Sequence, residues 1–225
     1  MESPVLLILT AGGVGKRFGK PHPKQLETIE GQSVLFRTAT FFVSVKPDLT
    51  VVTAPEGFEE RFRDELSGLS YPIQVITGGK ERSDSVRRAI QVFVEKGFDG
   101  DSVVLVHDGV RPFLNEKTVD EVIWGVRTHG AAIPYIPVSG TARRLKDEGF
   151  GETLERKDLA IVTTPQGATL RILSHCMSRQ QFSFPDESTL MSAEGVPMLP
   201  VLDWPLNIKI TEPEDLKAAR VLWGI

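Results

Sequence analysis

Cysteine is almost absent from this sequence of 225 residues, which contains only Cys176. A single thiol cannot form an internal disulfide, so a small disulfide-stapled fold is excluded and a reducing compartment is indicated. Cys176 lies in an apolar, helical-looking stretch with Leu173 and Met177, without the partner that a nucleophilic thiol needs. We therefore expect a buried structural side chain.

Long apolar runs are also missing. The N-terminal residues 1–4 carry no basic region, and the apolar run at residues 5–9 is too short for a signal-peptide core or a membrane span. These absences predict a cytoplasmic protein that is not associated with a membrane.

An excess of positive charge is absent as well. The chain has 26 Lys and Arg residues and 30 Asp and Glu residues, which gives a net charge of −4. This balance argues against nucleic acid as a partner, so phosphate chemistry must come from local basic clusters. No internal repeat or low-complexity tract is visible. The length fits one hydrophobic core, which predicts a single α/β domain over residues 1–225.

Apolar runs alternate with segments of helical periodicity. The runs predict buried strands at residues 5–9, 49–53, 73–76, 103–107, 131–136 and 198–202. Helical spacing predicts helices at residues 33–45, 83–95, 117–128 and 168–180, and a last helix that starts near Thr211 with Glu214 in a capping box. The alternation predicts a doubly wound, mostly parallel sheet with helices on both faces. Ligands of such sheets bind beyond the carboxyl ends of the strands.

Residues 139–156 do not fit this alternation. They are polar and contain an Asp-Glu-Gly-Phe-Gly turn at residues 147–151, which predicts a β-hairpin. A lone two-stranded hairpin is marginally stable in water, so we expect it to pack against a second copy of the chain. A floppy surface loop is the alternative.

The most informative segment is the glycine-rich stretch at residues 11–17, directly after the first strand. Its small residues allow the backbone to approach a ligand and to point N–H groups at phosphate oxygens, and Lys16 and Arg17 add positive charge. It is not a P-loop, because Arg17 follows Lys16, and Phe18 breaks the dinucleotide-binding fingerprint. A tight turn with solvated cations is the alternative.

Two further segments carry candidate ligand contacts. Lys24 lies on a segment that flanking prolines stiffen and keep from being helical, so it could be held over phosphates. Beyond the strand at residues 73–76, Ser83 or Asp84 can cap the next helix. A functional interpretation adds Gly79 and Ser85 as contacts to a base or ribose at that helix N-terminus.

Acidic and basic residues follow the strand at residues 103–107. Asp108 is a natural Mg²⁺ ligand at the ligand edge of the sheet, and Arg111 could hold a second phosphate. An Asp–Arg ion pair in a turn is the alternative. We expect His107 to be a packed strand residue rather than a catalytic base. Lys209 alternates with apolar neighbours, so it either is a solvated edge residue or enters the cleft.

Together these motifs resemble one family, the 2-C-methyl-D-erythritol 4-phosphate cytidylyltransferases of the non-mevalonate isoprenoid route. The resemblance runs nearly end to end. It rests on motifs in the family's order and spacing at residues 11–17, 23–25, 78–86, 106–112, 141, 156, 164–166 and 207–216.

The resemblance implies a Rossmann-like nucleotidyltransferase with CTP as co-substrate and Mg²⁺ at Asp108. It implies catalytic roles for Lys16, Arg17, Lys24 and Lys209. The implied CTP contacts are Ala11, Gly12, Gly13, Gly15, Gly79 and Ser85. The implied substrate contacts are Asp108, Gly109, Arg111, Thr141, Arg156 and Thr164. Thr141 and Arg156 would reach the site from the arm of a partner subunit in a homodimer.

Some positions depart from the family pattern, and alternatives stay open. Lys80 stands where an acidic residue is frequent, and Pro185 where a threonine is common. The alternatives are a ribitol-5-phosphate cytidylyltransferase, which shares most of these motifs, and a non-catalytic nucleotide-binding module of the same fold. A dehydrogenase is disfavoured by the broken glycine fingerprint.

Overall fold

The computed structural model describes residues 2–13, 18–19, 22–180 and 182–224. The helices are α1 (Val34–Thr40), α2 (Glu59–Leu66), α3 (Arg82–Glu95), α4 (Glu116–His129), α5 (Leu170–Arg179), α6 (Glu187–Ala193) and α7 (Pro213–Trp223). The strands are β1 (Val5–Thr10), β2 (Thr28–Ile29), β3 (Gln32–Ser33), β4 (Leu49–Ala54), β5 (Ile73–Thr77), β6 (Val103–Asp108), β7 (Ala131–Pro137), β8 (Ala142–Lys146), β9 (Gly149–Leu154), β10 (Ala160–Val162), β11 (Gln166–Thr169) and β12 (Leu199–Leu202).

A central sheet of eight strands organises the chain. Strands β11, β6, β1, β4 and β5 follow one another across it, and β7 pairs with β10, β11 and β12. β6, β1, β4 and β5 are parallel, as are β7 and β12, whereas β10 and β11 run antiparallel to their neighbours. The chain moves outward from β1 to β5 and then returns to place β6 on the other side of β1. This reversal opens a crevice beyond the carboxyl ends of β1 and β6.

Both faces of the sheet are covered by helices, which explains the unbroken apolar runs of the strands. In β1, Leu7 and Leu9 belong to the core shared with α1, α2 and α4, and Leu6 and Ile8 belong to the core shared with α3, α5 and α6. Alternate side chains of a strand point to opposite faces, so a strand buried on both faces must be apolar throughout. The predicted doubly wound, mostly parallel α/β fold is confirmed.

The hairpin predicted at residues 139–156 is present as β8 and β9, paired antiparallel in a sheet of their own. Its apolar side chains are largely exposed, with Leu145 at 77% and Phe150 at 69%. The buried position predicted for Cys176 is confirmed, and burial raises the pKa of its thiol. No helix among the described residues has the length and apolarity that crossing a bilayer requires.

Several helix ends differ from those predicted from the sequence. The capping residue of α3 is Glu81, whose backbone N–H donates to Asp84, rather than Ser83 or Asp84. The capping box of α7 joins Glu212 to Asp215, one residue beyond the predicted pair. The start predicted at residue 168 was wrong, because residues 166–169 form β11 and Thr169 caps α5.

The proline-flanked segment also differs from the prediction, because Lys24–Leu26 forms a short 3₁₀ helix. Pro23 lies at its N-terminal flank, where a missing N–H costs no helical hydrogen bond. Helices α2 and α6 and strands β10 and β11 were not predicted at all.

Candidate active site

A polar cavity of about 330 Å³ lies beyond the carboxyl ends of β1, β5 and β6. Its position matches the crevice at which open α/β sheets bind ligands. Its wall combines glycines, hydroxyl groups and charged side chains: Thr10, Gly12, Gly13, Lys24, Gln25, Gly79, Lys80, Glu81, Arg82, Ser85, Asp108, Val110, Lys209 and Thr211.

The start of the glycine-rich segment is fixed by contacts from two directions. The N–H of Ala11 donates to the carbonyl and the side-chain oxygen of Thr53 on β4. The buried side chain of Gln25 donates from Nε2 to the carbonyl of Ala11 at 2.6 Å and to that of Gly13 at 3.1 Å. The backbone at residues 11–13 is therefore held in one conformation beside the cavity.

On one side of the cavity, two glycine-containing turns lie close together. A Cβ on Gly78 would lie 3.1 Å from the Cα of Gly12, and a Cβ on Gly79 would lie 2.1 Å from the Cβ of Asp84. The N–H of Gly79 donates to Ser85 Oγ at 2.9 Å. Gly79 and Ser85 are thus brought together at the start of α3, and their contact with a base or ribose stays a prediction.

Asp108, at the end of β6, is surrounded by three cations and is 5% exposed. Its Oδ2 lies 3.0 Å from both Arg111 Nε and Lys209 Nζ, and its Oδ1 lies 3.5 Å from Arg82 Nε. Burial alone would raise the pKa of Asp108, but the charges of these three cations outweigh it and hold the pKa well below its ordinary value. The carboxylate is therefore ionised and organises the cations around it.

His107 is fully buried and takes part in a chain of hydrogen bonds with a defined polarity. The carbonyl of Arg111 can only accept, so Nε2 of His107 carries the hydrogen at 3.1 Å. Burial lowers the pKa of His107 to about 4, so the ring is neutral at pH 7 and its Nδ1 accepts from the Thr164 hydroxyl at 2.8 Å. Thr164 Oγ1 in turn accepts from the N–H of Asp108. As predicted, His107 is a packed strand residue.

A second, smaller cavity of about 100 Å³ adjoins the first and shares Arg82, Asp108 and Lys209 with it. Arg111 and Thr164 also line this second cavity. Arg111 is held from two sides, because its Nη1 donates to the carbonyl of Asn207 at 2.7 Å and its Nε contacts Asp108. The shared residues form a charged wall that is common to the two adjoining spaces.

Several residues predicted for the site either line neither cavity or are not among the described residues. Gly15, Lys16 and Arg17 lie outside the described residues. Gly109 lines neither cavity and instead allows close packing, since a Cβ there would lie 3.0 Å from the Cβ of Ala11. Thr141 and Arg156 lie at the base of the hairpin and also line neither cavity, so these roles stay predictions.

The sequence and the fold were also compared with those of known proteins. The family described as IspD, 2-C-methyl-D-erythritol 4-phosphate cytidylyltransferase, matches residues 5–224. The chain belongs to this family. Two curated relatives carry the name 2-C-methyl-D-erythritol 4-phosphate cytidylyltransferase. The protein from Syntrophus aciditrophicus (strain SB) is 32% identical, over 98% of this chain and 96% of that one. The protein from Bacillus thuringiensis (strain Al Hakam) is 34% identical, over 95% of each.

A solved structure supports the same assignment. The crystal structure of 2-C-methyl-D-erythritol 4-phosphate cytidylyltransferase from Thermus thermophilus superposes with a TM-score of 0.78 at 28% identity, over the whole of both chains. The members of this cytidylyltransferase family are nucleotidyltransferases, which accounts for a cavity built from glycines and cations.

The described residues do not form a ready-made site for the Mg²⁺ implied by the resemblance. No group of three or more His, Cys, Asp or Glu residues that could hold a metal ion occurs in the described part of the chain. Asp108 is a single carboxylate, and both of its oxygens already contact cations. The local charge is therefore unfavourable for a divalent cation until phosphates add negative charge.

Sequence reasoning assigned no role to three residues that shape this cytidylyltransferase site. Gln25 holds the glycine-rich segment, Arg82 lies in the shared wall, and Glu187 on α6 pairs with Arg82. Gln25 and Arg82 occur in the motifs that carried the resemblance, and their positions there were the available signal. Glu187 lies 105 residues from Arg82, and no sequence spacing predicts that contact.

Proposed function

We propose that this chain transfers the cytidylyl group of CTP to 2-C-methyl-D-erythritol 4-phosphate and releases pyrophosphate, as a step of non-mevalonate isoprenoid biosynthesis. Family membership supports the reaction. The observation that carries the proposal is the charged wall of Arg82, Asp108 and Lys209, which two adjoining cavities share. One cavity would take the nucleotide and the other the sugar-alcohol phosphate.

The proposed step is an in-line displacement. A phosphate oxygen of the sugar-alcohol phosphate attacks the α-phosphorus of CTP, a new P–O bond forms, and the bond to the β-phosphate oxygen breaks to release pyrophosphate. The nucleophile is already an anion, so no covalent enzyme intermediate is needed. Catalysis then consists of positioning and charge stabilisation.

The cations have separate tasks in this mechanism. Lys24 is oriented by a hydrogen bond from Nζ to the carbonyl of Ile210 at 2.7 Å, and it would stabilise charge on the α-phosphate. Lys16 and Arg17 would stabilise the leaving pyrophosphate. Arg111 and Lys209, which Asp108 holds, would bind the phosphate of the sugar alcohol.

Mg²⁺ at Asp108 stays a prediction of the family resemblance. If Mg²⁺ takes part, it would enter with the triphosphate of CTP, whose charge it would offset. Addition of excess EDTA should then abolish pyrophosphate release, and added Mg²⁺ should restore it. Full turnover in EDTA would remove the metal from the proposal.

We also propose a cytoplasmic, single-domain protein that forms a homodimer through the hairpin of residues 139–156. The exposure of Leu145 and Phe150 supports an apolar partner surface for the hairpin. Arg156 would reach the partner's site. Sedimentation analysis should give twice the chain mass. A monomer that is fully active would contradict the proposed dimer.

The experiment that tests the reaction measures pyrophosphate release with each of four nucleoside triphosphates, offered with either 2-C-methyl-D-erythritol 4-phosphate or ribitol 5-phosphate. We expect release with CTP and the methylerythritol phosphate. Release with ribitol phosphate instead would favour the ribitol enzyme. CTP binding without release in any combination would indicate a non-catalytic module.

Lys24→Ala tests the assignment of the α-phosphate contact. We expect turnover to fall by ~10²–10³, the range found when one charge-stabilising donor is lost, with little change in folding. Lys96→Ala is the matched control, because Lys96 is exposed at the end of α3, outside both cavities. Unchanged turnover in Lys24→Ala would remove Lys24 from the mechanism.

A further inference from the structure

The carboxylate of Glu187 is buried in the protein, although it lies at the first position of a helix, where carboxylates are commonly solvated. Glu187 is 1% exposed. Its two oxygens accept from Arg82, at 2.7 Å from Nη1 and at 2.9 Å from Nη2. A buried carboxylate is tolerated only with good pairing, and this bidentate geometry supplies it.

Arg82 connects this buried pair to the charged wall of the site. Its Nη atoms contact Glu187, and its Nε faces Asp108 at 3.5 Å. Burial would lower the pKa of Arg82, but the charge of Glu187 outweighs it, so the guanidinium stays fully charged. Of its five N–H donors, three have these acceptors, and two have none among the described residues.

The helix that carries Glu187 is also held by hydrogen bonds at its N-terminus. Asp186 caps α6 by accepting from the N–H of Thr189, and the N–H of Ser188 donates to Gln166 Oε1. Gln166 is tied by its Nε2 to the carbonyl of Thr163. The Glu187 carboxylate is therefore held on a rigid support, and it fixes the plane of the Arg82 guanidinium.

We propose that Glu187 is a positioning residue, which holds the Arg82 guanidinium in the wall that the two cavities share, with two N–H donors directed to the reacting phosphates. This inference rests on the proposed function. Without Glu187, the carboxylates left near Arg82 among the described residues would be Asp108, which Arg82 already contacts, and Asp186. The guanidinium would then turn toward Asp108 and compete with Arg111 and Lys209 for its oxygens.

The test is a cycle of variants assayed by steady-state pyrophosphate release from CTP and 2-C-methyl-D-erythritol 4-phosphate. Glu187→Gln removes the charge and keeps the side-chain shape. We expect kcat to fall by ~10², as a displacement of about 1 Å in a reacting group produces, while KM for CTP changes less than about threefold. Glu116→Gln is the matched control, because it makes the same change at the first position of α4, where the side chain is exposed.

Two variants of Arg82 make the result specific. Arg82→Lys keeps the charge and loses the bidentate geometry, so it should lower kcat by a similar factor. In the Arg82→Gln background, Glu187→Gln should have no further effect on kcat, because it acts through Arg82. Circular dichroism confirms that each variant is folded at the assay temperature.

Three outcomes would overturn the inference. In the first two, the kcat of folded Glu187→Gln or the kcat of Arg82→Lys is within threefold of the wild-type value. In the third, kcat falls much further when Glu187→Gln is added to Arg82→Gln. The Arg82→Lys result decides the question if Glu187→Gln does not fold. A wild-type protein without turnover would overturn the proposed function and this inference with it. An active wild type with unaffected variants would overturn this inference alone.

Discussion

Replacement of Gln25 by methionine should loosen the glycine-rich segment and weaken nucleotide binding. The side-chain amide of Gln25 donates to the carbonyls of Ala11 and Gly13. The C=O and N–H groups of one trans peptide point in opposite directions, so a carbonyl of Ala11 drawn toward Gln25 turns the N–H of Gly12 away from it. That N–H has no acceptor in the described part of the chain, so it can serve a phosphate oxygen.

The size of the effect follows from the contacts that are lost. Methionine retains the length and apolar body of glutamine and removes both hydrogen bonds, each with a net contribution of about 1 kcal/mol. It also removes Gln25 Oε1, a buried acceptor without a hydrogen-bond partner among the described residues, which offsets part of this loss. We expect a loss of about 1–2 kcal/mol in the free energy of unfolding, which lowers Tm by about 2–8 °C.

Two assays on the same variant separate folding from binding. Thermal unfolding gives Tm, and isothermal titration with CTP gives Kd, which we expect to rise by about tenfold or more, equivalent to at least about 1.4 kcal/mol. Gln91→Met, at an exposed position of α3, is the control and should change neither. An unchanged Kd for CTP in Gln25→Met would refute the argument that Gln25 orients the phosphate-binding backbone.

Two further predictions test the site and the core beside it. The unfolded chain protonates His107 below about pH 6.5, whereas the folded chain protonates it only near pH 4. The free energy of unfolding should therefore decrease as the pH is lowered from 6.5 to 4, by up to about 3 kcal/mol. Urea unfolding at pH 7.5 and 4.5 measures this loss, which should be smaller in His107→Gln; equal losses would contradict it. Gly79→Ala should destabilise the fold by about 1–3 kcal/mol and raise Kd for CTP, because its Cβ would clash with Asp84. Gly140→Ala, where a Cβ meets no described atom within 4 Å, should leave both unchanged.

The strands that could be predicted are those that carry apolar runs. All six predicted runs lie within strands of the structure, apart from one residue at the start of β12. The runs of β1, β4 and β6 are apolar because these strands are covered on both faces, whereas β12 is only partly buried. Strand β11 escaped prediction for a physical reason. A Cβ on Gly167 would lie 2.7 Å from Val122 and Val126 of α4, so close packing of helix on strand leaves no room for the apolar side chains that mark a strand.

Helix α6 was not predicted because a charged residue occupies a buried position in it. Its first residue, Glu187, is charged in sequence yet buried in the fold, so helical periodicity does not reveal the inner face. The same limit applies to the site. Residues at or just beyond the end of a strand, such as Asp108 and Gly79, are found by position, whereas a residue that acts through a distant partner is found only when the chain is folded.

The charges of the site are held in place by other groups of the protein. Lys24 is held by the carbonyl of Ile210, Arg111 by the carbonyl of Asn207, and Arg82 by Glu187, while Asp108 separates the cations that would otherwise repel one another. An incoming phosphate therefore meets oriented donors and competes with the Asp108 carboxylate for them. Because the side chains are ordered during folding, little of the binding free energy is spent on ordering them, and more remains for stabilising the charge that develops during transfer.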